Sequence, residues 1–405
     1  ANVVGTGAFT IPLMKKVGYS KNFAGAVEAS ASIGGQILPP IMGAAAFIMA
    51  ETTGVSYGTI ALAALIPAVL YFLGVLMQVH FRAGRDNLRG IPKADLPLVK
   101  EVLKARGHLL LPIVFLVYLL YAGVPIGQTA FYTIVATVVV AALRKETRMG
   151  FKDILAALDS GARQSLSVMV ACAVVGIIIG VVSLTSFGNV MTSSIASLGA
   201  GSLFLTLFFT MIASMILGMG LPSIPAYIIT ATMAAPALAE FDVPILVAHM
   251  FVFYFGIFAN ITPPVALAAF AGAGISGGDP MKTGFAALKL ALAGFIIPYL
   301  FVYNPAMLMI DTTDVAVNAK EFPMASVSSI IIITITAIIG IIALSAAAEG
   351  FFKTKLNWIL RIILGVGAIC MIIPETYTDI VGLVIVFAIL GYDLVRSRNN
   401  NTVIS

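Results

Sequence analysis

The chain has 405 residues, of which 60% are hydrophobic and only 10% are charged. This composition leaves too little polar surface to cover a water-soluble fold of this length, and apolar runs of about 18 residues or more recur along the chain. A net charge of +5 could suit nucleic acid, but the Lys and Arg residues lie in short loops between apolar runs, as the positive-inside rule predicts. We therefore predict a multi-pass protein of the lipid bilayer that does not bind nucleic acid.

No residue pattern typical of catalysis or cofactor binding occurs in the chain. Paired carboxylates, a Ser/His/Asp pattern, a Gly-rich phosphate loop and a Walker motif are all missing. The two cysteines lie far apart inside apolar runs, which indicates small buried residues and not a disulfide or a metal site. We predict that the protein is not an enzyme and holds no cofactor.

The chain opens on a Gly-x-Gly segment, and the long apolar stretch that follows is interrupted by a Pro-Pro pair. The stretch covers residues 23–50 and starts beside a Lys cluster, which places that end in the cytoplasm. The notable positions here are Gly5, Thr6, Gly7, Gln36, Pro39 and Pro40. Since proline has no backbone N–H, the pair predicts a break inside a membrane helix. Few residues precede the first glycine, so we expect the first leg of a hairpin to lie upstream of residue 1.

Basic loops fix the direction of the predicted spans. The loop from Arg82 to Arg106 is rich in Lys and Arg and is assigned to the cytoplasm. The predicted spans before residue 190 are 23–50, 57–80, 108–125, 129–143 and 166–187. This topology leaves Lys320 as the only Lys or Arg outside, which supports the assignment.

Two segments have the pattern of amphipathic helices. In 93–106 and in 151–163, apolar residues fall on one helical face and charged residues elsewhere. We predict that both segments lie flat on the cytoplasmic surface of the membrane. They would serve either as arms that brace a scaffold against a moving unit or as simple linkers.

The opening pattern recurs in the second half of the chain. One apolar leg over 202–217 leads to a Gly-x-Gly turn, and a second leg covers 224–239. The notable positions of this copy are Gly218, Gly220, Pro222, Ser223, Asn260, Thr262, Pro263 and Pro264. The assigned topology makes the two copies run in opposite directions. We therefore predict inverted repeats, with a re-entrant hairpin whose turn lies near mid-membrane.

Broken helices expose backbone groups to chemistry inside the membrane. Carbonyl groups at a helix C-terminus suit Na⁺, and N–H groups at a helix N-terminus suit a carboxylate. Hard side-chain oxygens accompany the breaks and turns, and each is either a ligand or a helix cap. They belong to Thr6, Gln36, Ser223, Asn260 and Thr262.

Two ionisable residues lie inside apolar runs and need separate interpretation. Glu28 follows the cytoplasmic Lys cluster by about two helical turns. A structural salt bridge or a wetted edge is favoured there over a proton relay or coupling to an ion. His249 is interpreted as a hydrogen-bonded packing residue.

Three more spans, 326–347, 356–373 and 377–395, are predicted after the second copy. The predicted fold is thus an all-α polytopic membrane protein of inverted-repeat type. Its predicted parts are a first repeat at 1–80, interfacial arms and scaffold helices at 81–188, a second repeat at 189–305 and a C-terminal extension at 306–405.

Three motifs resemble one family of transporters. They are NVVGTGAFTIPLMKKVGY at 2–19, GGQILPP at 34–40 and NITPP at 260–264. Together they resemble the large membrane subunit of tripartite ATP-independent periplasmic (TRAP) transporters. More narrowly, they are similar to the fused permease of the TAXI subgroup. The resemblance covers about residues 1–305.

The resemblance implies a Na⁺-coupled secondary transporter of elevator type in a bacterial or archaeal cytoplasmic (inner) membrane. It would import organic acids, such as dicarboxylates or glutamate-like carboxylates, delivered by a periplasmic TAXI-type binding protein. Na⁺, the coupling ion, would bind at Gly218, Asn260 and Thr262, and the other notable positions would line the ion and substrate sites. The family's Ser-rich segment would lie before residue 1, so we expect these 405 residues alone to be inactive.

Two alternatives stay open from the sequence. A Na⁺/carboxylate symporter of the ion transporter superfamily, which needs no binding protein, also has inverted repeats with hairpins and Pro breaks. A non-transporting membrane scaffold or receptor is a different class, but it would leave the mid-membrane breaks unexplained.

Overall fold

The computed structural model describes residues 2–92, 98–371 and 376–402, and this part of the chain is built from helices. The helices of the first half are α1 (Asn2–Val17), α2 (Lys21–Gly34), α3 (Ala45–Thr53), α4 (Tyr57–Arg85), α5 (Val99–Arg106), α6 (Leu111–Tyr121), α7 (Ile126–Ala142), α8 (Phe151–Leu184) and α9 (Phe187–Gly199). A 3₁₀ turn, Gly107–Leu110, joins α5 to α6. β structure in the described residues is limited to two isolated bridges.

The second half continues the helical pattern. Its helices are α10 (Leu203–Gly218), α11 (Ser223–Met233), α12 (Pro236–Ala239), α13 (Ile245–Phe258), α14 (Leu267–Ser276), α15 (Pro280–Leu290), α16 (Leu292–Tyr303), α17 (Val327–Glu349), α18 (Trp358–Cys370) and α19 (Thr376–Thr402). Six helical stretches of the described residues are long and apolar enough to cross a membrane. The prediction of a multi-pass all-α protein is confirmed.

Several helices begin at a side-chain cap. The Ser20 hydroxyl accepts from the Phe23 N–H at the start of α2, and Ser56 does the same for the Thr59 N–H at the start of α4. Asp279 accepts from the Lys282 N–H, 2.7 Å away, at the start of α15. Each cap satisfies one of the backbone donors that a helix N-terminus leaves free.

Both Pro-Pro pairs interrupt a helix, as predicted. The first pair separates α2 from α3 and the second separates α13 from α14, and both Pro-Pro peptide bonds are cis. The third residue after the first proline is left-handed in each break, with φ 53° at Met42 and 32° at Ala266. The Met42 N–H donates to the Leu38 carbonyl at 3.1 Å, and the Ala266 N–H donates to the equivalent Thr262 carbonyl at 3.3 Å. The two halves thus repeat one local backbone design.

Helix α13 lies at the centre of the core. Every residue from Leu246 to Phe258 is buried. Helices α10, α11 and α16 pack around it, and α2 packs against α14 and α15. At the α2/α14 crossing the backbones touch, because a Cβ built on Gly25 would lie 2.8 Å from the Gly272 oxygen. Such close crossings of small residues are typical of membrane helices.

The C-terminal part of the chain is tied to the rest by α17, which packs along α4. Glu349 ends α17 with a fully buried side chain. It pairs with Arg82 at 3.3 Å, Arg85 at 3.4 Å and Lys289 at 2.5 Å. Three cations from two other helices therefore hold the end of α17 in place.

The structure corrects two expectations about elements. Residues 151–163 and 166–187 were predicted as a flat helix and a separate span, but α8 is continuous from Phe151 to Leu184, since no proline interrupts it. The second hairpin leg, predicted over 224–239, is divided into α11 and α12. Of the predicted segment 93–106, residues 93–97 lie outside the described residues. The rest is the exposed helix α5, which leads into α6, and its position flat on the membrane surface stays a prediction.

Candidate functional site at the helix breaks

The turn between α10 and α11 has the geometry predicted for a hairpin tip. Helix α10 ends at Gly218 and α11 begins at Ser223, with Pro222 at the N-cap position. Gly220, in this turn, has φ 73°, in the left-handed region that favours glycine. The two glycines have different roles, since Gly218 has no positive φ but makes a close contact.

That contact presses the tip onto the broken helix α13. A Cβ built on Gly218 would lie 2.5 Å from the Gly256 oxygen and 2.9 Å from the Gly256 Cα. Both partners are backbone atoms, which cannot move aside as a flexible side chain can. Glycine is therefore required at this position for the tip to reach α13.

The second Pro-Pro break lies directly against the tip. The Asn260 side-chain amide donates to the Leu221 carbonyl at 3.2 Å, so a residue of the break caps the turn. Val265 lies beside Gly220, at 3.6 Å from a Cβ built there. Thr262 donates its hydroxyl proton to the Phe258 carbonyl at 2.8 Å, which leaves its oxygen lone pairs available. The structure thus places Asn260 and Val265 of the break against Leu221 and Gly220 of the tip.

Four helix ends flank the two segments that touch at the tip and the break. Helices α10 and α13 end there, and α11 and α14 begin there. A helix C-terminus carries about −0.5 charge and an N-terminus about +0.5. The two C-termini together match one monovalent cation, and the two N-termini suit a carboxylate. The side chains at this junction, including Ser223, Asn260 and Thr262, are uncharged, so backbone dipoles set the local field.

Two buried hydroxyl groups below the tip were not predicted from the sequence. Thr210 and Ser214 precede Gly218 by two turns and one turn on α10, and all three residues are buried. The hydroxyl oxygens of Thr210 and Ser214 have no hydrogen-bond partner among the described residues. The signal that could have found them is their i, i+4 spacing, which puts them on the glycine's face of the helix.

The first Pro-Pro break shares its backbone turn with the second but has different side-chain contacts. Tyr57 donates its hydroxyl proton to the carbonyls of Pro40 and Ile41, at 2.8 and 2.9 Å. The Gln36 carbonyl accepts from the Gly43 N–H at 2.7 Å, and the Gln36 side-chain oxygen is buried without a partner in the part of the chain that the structure describes. Several carbonyls that the break frees are therefore already satisfied, whereas a buried amide oxygen is not.

Gly5, Thr6 and Gly7 do not form a turn. They lie inside α1, which also contains Pro12, so the geometry expected from the second copy is wrong for these residues. Thr6 instead contacts Glu28 on α2. Gly7 faces the same residue, because a Cβ built on it would lie 3.1 Å from the Glu28 Cγ. These residues therefore bring α1 close to a buried carboxylate.

The favoured interpretation of Glu28 was wrong and that of His249 is confirmed. Glu28 is 5% exposed and forms no ion pair among the described residues, so it is neither salt-bridged nor at a wetted edge. His249 is hydrogen-bonded through Nδ1 to the Tyr227 hydroxyl at 2.7 Å. That bond joins α11 to α13, as expected of a packing residue.

Comparison with known proteins identifies the family. Residues 1–315 match the family described as "Tripartite ATP-independent periplasmic transporter, DctM component". A segment of 105 residues is 32% identical to the C4-dicarboxylate TRAP transporter large permease protein DctM of Vibrio cholerae serotype O1. That segment covers 26% of this chain and 22% of the relative's length. The chain belongs to the DctM component family of the tripartite ATP-independent periplasmic transporters.

Proposed function

We propose that this member of the DctM family is the permease of a Na⁺-coupled importer of organic acids, which a periplasmic binding protein delivers. The observation that carries the proposal is the contact between the α10–α11 tip and the second Pro-Pro break, through Gly218–Gly256 and Asn260–Leu221. Broken helices with exposed dipole ends are the usual ion and substrate sites of secondary transporters. This function involves no catalysis.

Na⁺ would bind to the carbonyl ends of α10 and α13, with Gly218, Asn260 and Thr262 closest to it. Two helix C-termini supply about one negative charge in total, which matches a monovalent ion. The Thr262 hydroxyl donates its one hydrogen bond to the Phe258 carbonyl, so its oxygen can present lone pairs to the ion. No carboxylate is needed at this site. Release of the ion would therefore leave no negatively charged side chain uncompensated.

The substrate carboxylate would lie at the N-termini of α11 and α14, beside Ser223. Backbone N–H groups there are free of intrahelical partners, and the helix dipole favours an anion. A dicarboxylate or a glutamate-like acid fits this chemistry, and the relative in Vibrio cholerae is described as a C4-dicarboxylate permease. Na⁺ and substrate would then bind next to each other at this junction, Na⁺ at the two helix C-termini and the carboxylate at the two N-termini, so each would favour binding of the other.

The remaining features of the proposal follow from the resemblance to the TAXI subgroup. We propose a fused permease in a bacterial or archaeal inner membrane, with the α10–α11 hairpin re-entrant from outside. The two repeats would carry the bound ion and substrate in an elevator movement past the scaffold helices. The exposed apolar faces of α6, α7 and α8 are consistent with helices that contact lipid or further protein.

Uptake into proteoliposomes tests the proposal. The full-length protein is reconstituted, and entry of radiolabelled C4 and C5 dicarboxylates is measured with or without a Na⁺ gradient and with or without the cognate binding protein. We expect uptake only when both are present. Na⁺-driven uptake without the binding protein would favour the superfamily symporter, and uptake that is indifferent to Na⁺ would refute the coupling ion.

A further inference from the structure

Glu28 lies in a cluster of oxygen atoms that the helix breaks do not include. Its carboxylate is hydrogen-bonded to the hydroxyl of Thr6, to that of Thr10 at 2.5 Å and to that of Ser32 at 3.4 Å. Two of these hydroxyls come from α1 and one from α2. Five oxygens, two from carboxylate and three from hydroxyls, therefore converge between the two helices.

No positive side chain neutralises this carboxylate in the described part of the chain. The nearest helices carry cations, and several of these have other partners. Lys15 on α1 donates to the Ser276 carbonyl at 2.8 Å, and Lys289 on α15 and Arg82 on α4 both pair with Glu349. The other charged residues of the helices packed around α2 form no ion pair with Glu28; they are Lys16, Lys21, Arg85, Asp279 and Lys282.

A buried carboxylate without a cation is costly in a membrane protein. Removing one member of a buried ion pair strongly destabilises a protein, because the remaining charge is uncompensated. Ionisable residues in membrane helices are therefore usually paired or functional. The three hydroxyls lower this cost, but they do not cancel the charge.

The two threonines can present lone pairs to a bound ion. The Thr6 hydroxyl is 3.0 Å from the Asn2 carbonyl, and the Thr10 hydroxyl is 3.1 Å from the Thr6 carbonyl. Each hydroxyl has one proton, which can go to that carbonyl one turn earlier. The lone pairs then point toward Glu28. A cation would replace the hydroxyl-to-carboxylate hydrogen bonds by oxygen-to-cation contacts.

We propose that Glu28, Thr6, Thr10 and Ser32 form a binding site for a monovalent cation of the Na⁺ class. One carboxylate and one monovalent cation make a neutral site, whereas a divalent cation would leave one positive charge in apolar surroundings. Hard oxygen ligands suit a hard cation. Thr6 is exposed while Glu28 is buried, so the cluster extends from the surface of the described residues to the buried carboxylate.

This second cation site rests on the proposed function, because it assigns a further coupling ion to the same permease. It is separate from the site at the second break, since it consists of side chains on α1 and α2 and contains a carboxylate. Ion binding here would draw α1 toward α2. Gly7 permits that approach, because any larger residue would press on the Glu28 Cγ.

Thermal unfolding of the purified full-length protein tests the site. The melting temperature is followed as NaCl replaces choline chloride at constant ionic strength, which gives a half-saturating Na⁺ concentration for each variant. Glu28→Gln removes the charge at nearly constant volume, and Thr10→Val removes a hydroxyl while Thr10→Ser keeps it. Ser30→Ala is the matched control, since Ser30 is buried on the same helix and bonds to the Ala287 carbonyl.

We expect Glu28→Gln to raise the half-saturating Na⁺ concentration at least tenfold, Thr10→Val about threefold to tenfold, and Thr10→Ser and Ser30→Ala less than twofold. If Glu28→Gln does not fold, the difference in Na⁺ dependence between Thr10→Val and Thr10→Ser tests the site. Wild-type Na⁺ dependence in Glu28→Gln, or in Thr10→Val, would overturn the site. A wild-type melting temperature that follows pH and not Na⁺ would also overturn it, because the carboxyl would then hold a proton.

Thr262→Val separates this inference from the proposed function. If only Thr262→Val weakens the Na⁺ response, the second-break site stands and the Glu28 site fails. If only Glu28→Gln weakens it, the Glu28 site stands and the assignment at the second break fails. If neither variant weakens the Na⁺ response, both sites are refuted.

Discussion

Gly218→Ala should weaken Na⁺ binding by pushing the hairpin tip away from the broken helix. The added methyl would lie 2.5 Å from the Gly256 oxygen, whereas contacts below 3.4 Å are already tight. The tip must therefore move by about 0.9 Å, and overpacking of this kind costs roughly 1–3 kcal/mol. The movement also lengthens the 3.2 Å bond from Asn260 to the Leu221 carbonyl, which contributes about 1 kcal/mol.

This strain acts on ion affinity if the ion-free tip can relax and the ion-bound tip cannot. If only the overpacking cost of about 1–3 kcal/mol is lost from ion binding, the half-saturating Na⁺ concentration rises by about 5- to 150-fold. The assay is Na⁺-dependent thermal stabilisation of the purified full-length protein, followed by Na⁺-driven uptake. Gly274→Ala is the matched control, because a Cβ there meets nothing within 4 Å. Equal Na⁺ dependence in the two variants would refute the reasoning.

Other substitutions separate the roles of individual contacts. Asn260→Ala removes the donor to the Leu221 carbonyl and should raise the half-saturating Na⁺ concentration about fivefold to tenfold, measured by the same titration. An unchanged value would show that this hydrogen bond does not contribute to the ion site. Tyr57→Phe frees the Pro40 and Ile41 carbonyls, so it should lower the melting temperature with less than a twofold change in Na⁺ affinity; a large affinity change would place the first break in the ion site. Glu349→Gln leaves three cations without their shared carboxylate and should destabilise the protein by about 3–5 kcal/mol. Denaturant or thermal unfolding measures that effect, and wild-type stability would contradict it.

The breaks could be predicted from sequence because their cause is local. A proline pair removes two backbone donors wherever it occurs, so Pro39-Pro40 and Pro263-Pro264 end helices regardless of their surroundings. The turn at Gly220 is similarly local, since its left-handed backbone favours glycine. These features account for the correct prediction of the two helix breaks and of the α10–α11 turn.

The same reasoning failed where the pattern permits two structures. Gly5-Thr6-Gly7 resembles the tip of the second copy, but glycine tolerates a helix as well as a turn, and in the structure these residues continue α1. Residues 151–163 are amphipathic, yet amphipathicity does not end a helix, so α8 continues through them. Local pattern establishes what each segment can do and not which of two structures it adopts.

Contacts between distant segments could not be read from the chain. The sequence gives no sign that Gly218 touches Gly256 or that Asn260 reaches Leu221, because both contacts depend on how α10 and α11 pack against α13. The Glu28 cluster is intermediate. The i, i+4 spacing of Thr6 with Thr10 predicts that they share a face of α1, but only the packing of α1 on α2 shows that this face meets a carboxylate.

Electron cryo-microscopy of the full-length protein in NaCl and in choline chloride tests the central claim most directly. We predict a density peak present only in NaCl, in contact with the carbonyl ends of α10 and α13 and with the Thr262 hydroxyl. Without Na⁺, the tip should separate from α13 at Gly218. Identical maps at this junction in the two salts would contradict the assignment of the coupling ion to the tip and the second break.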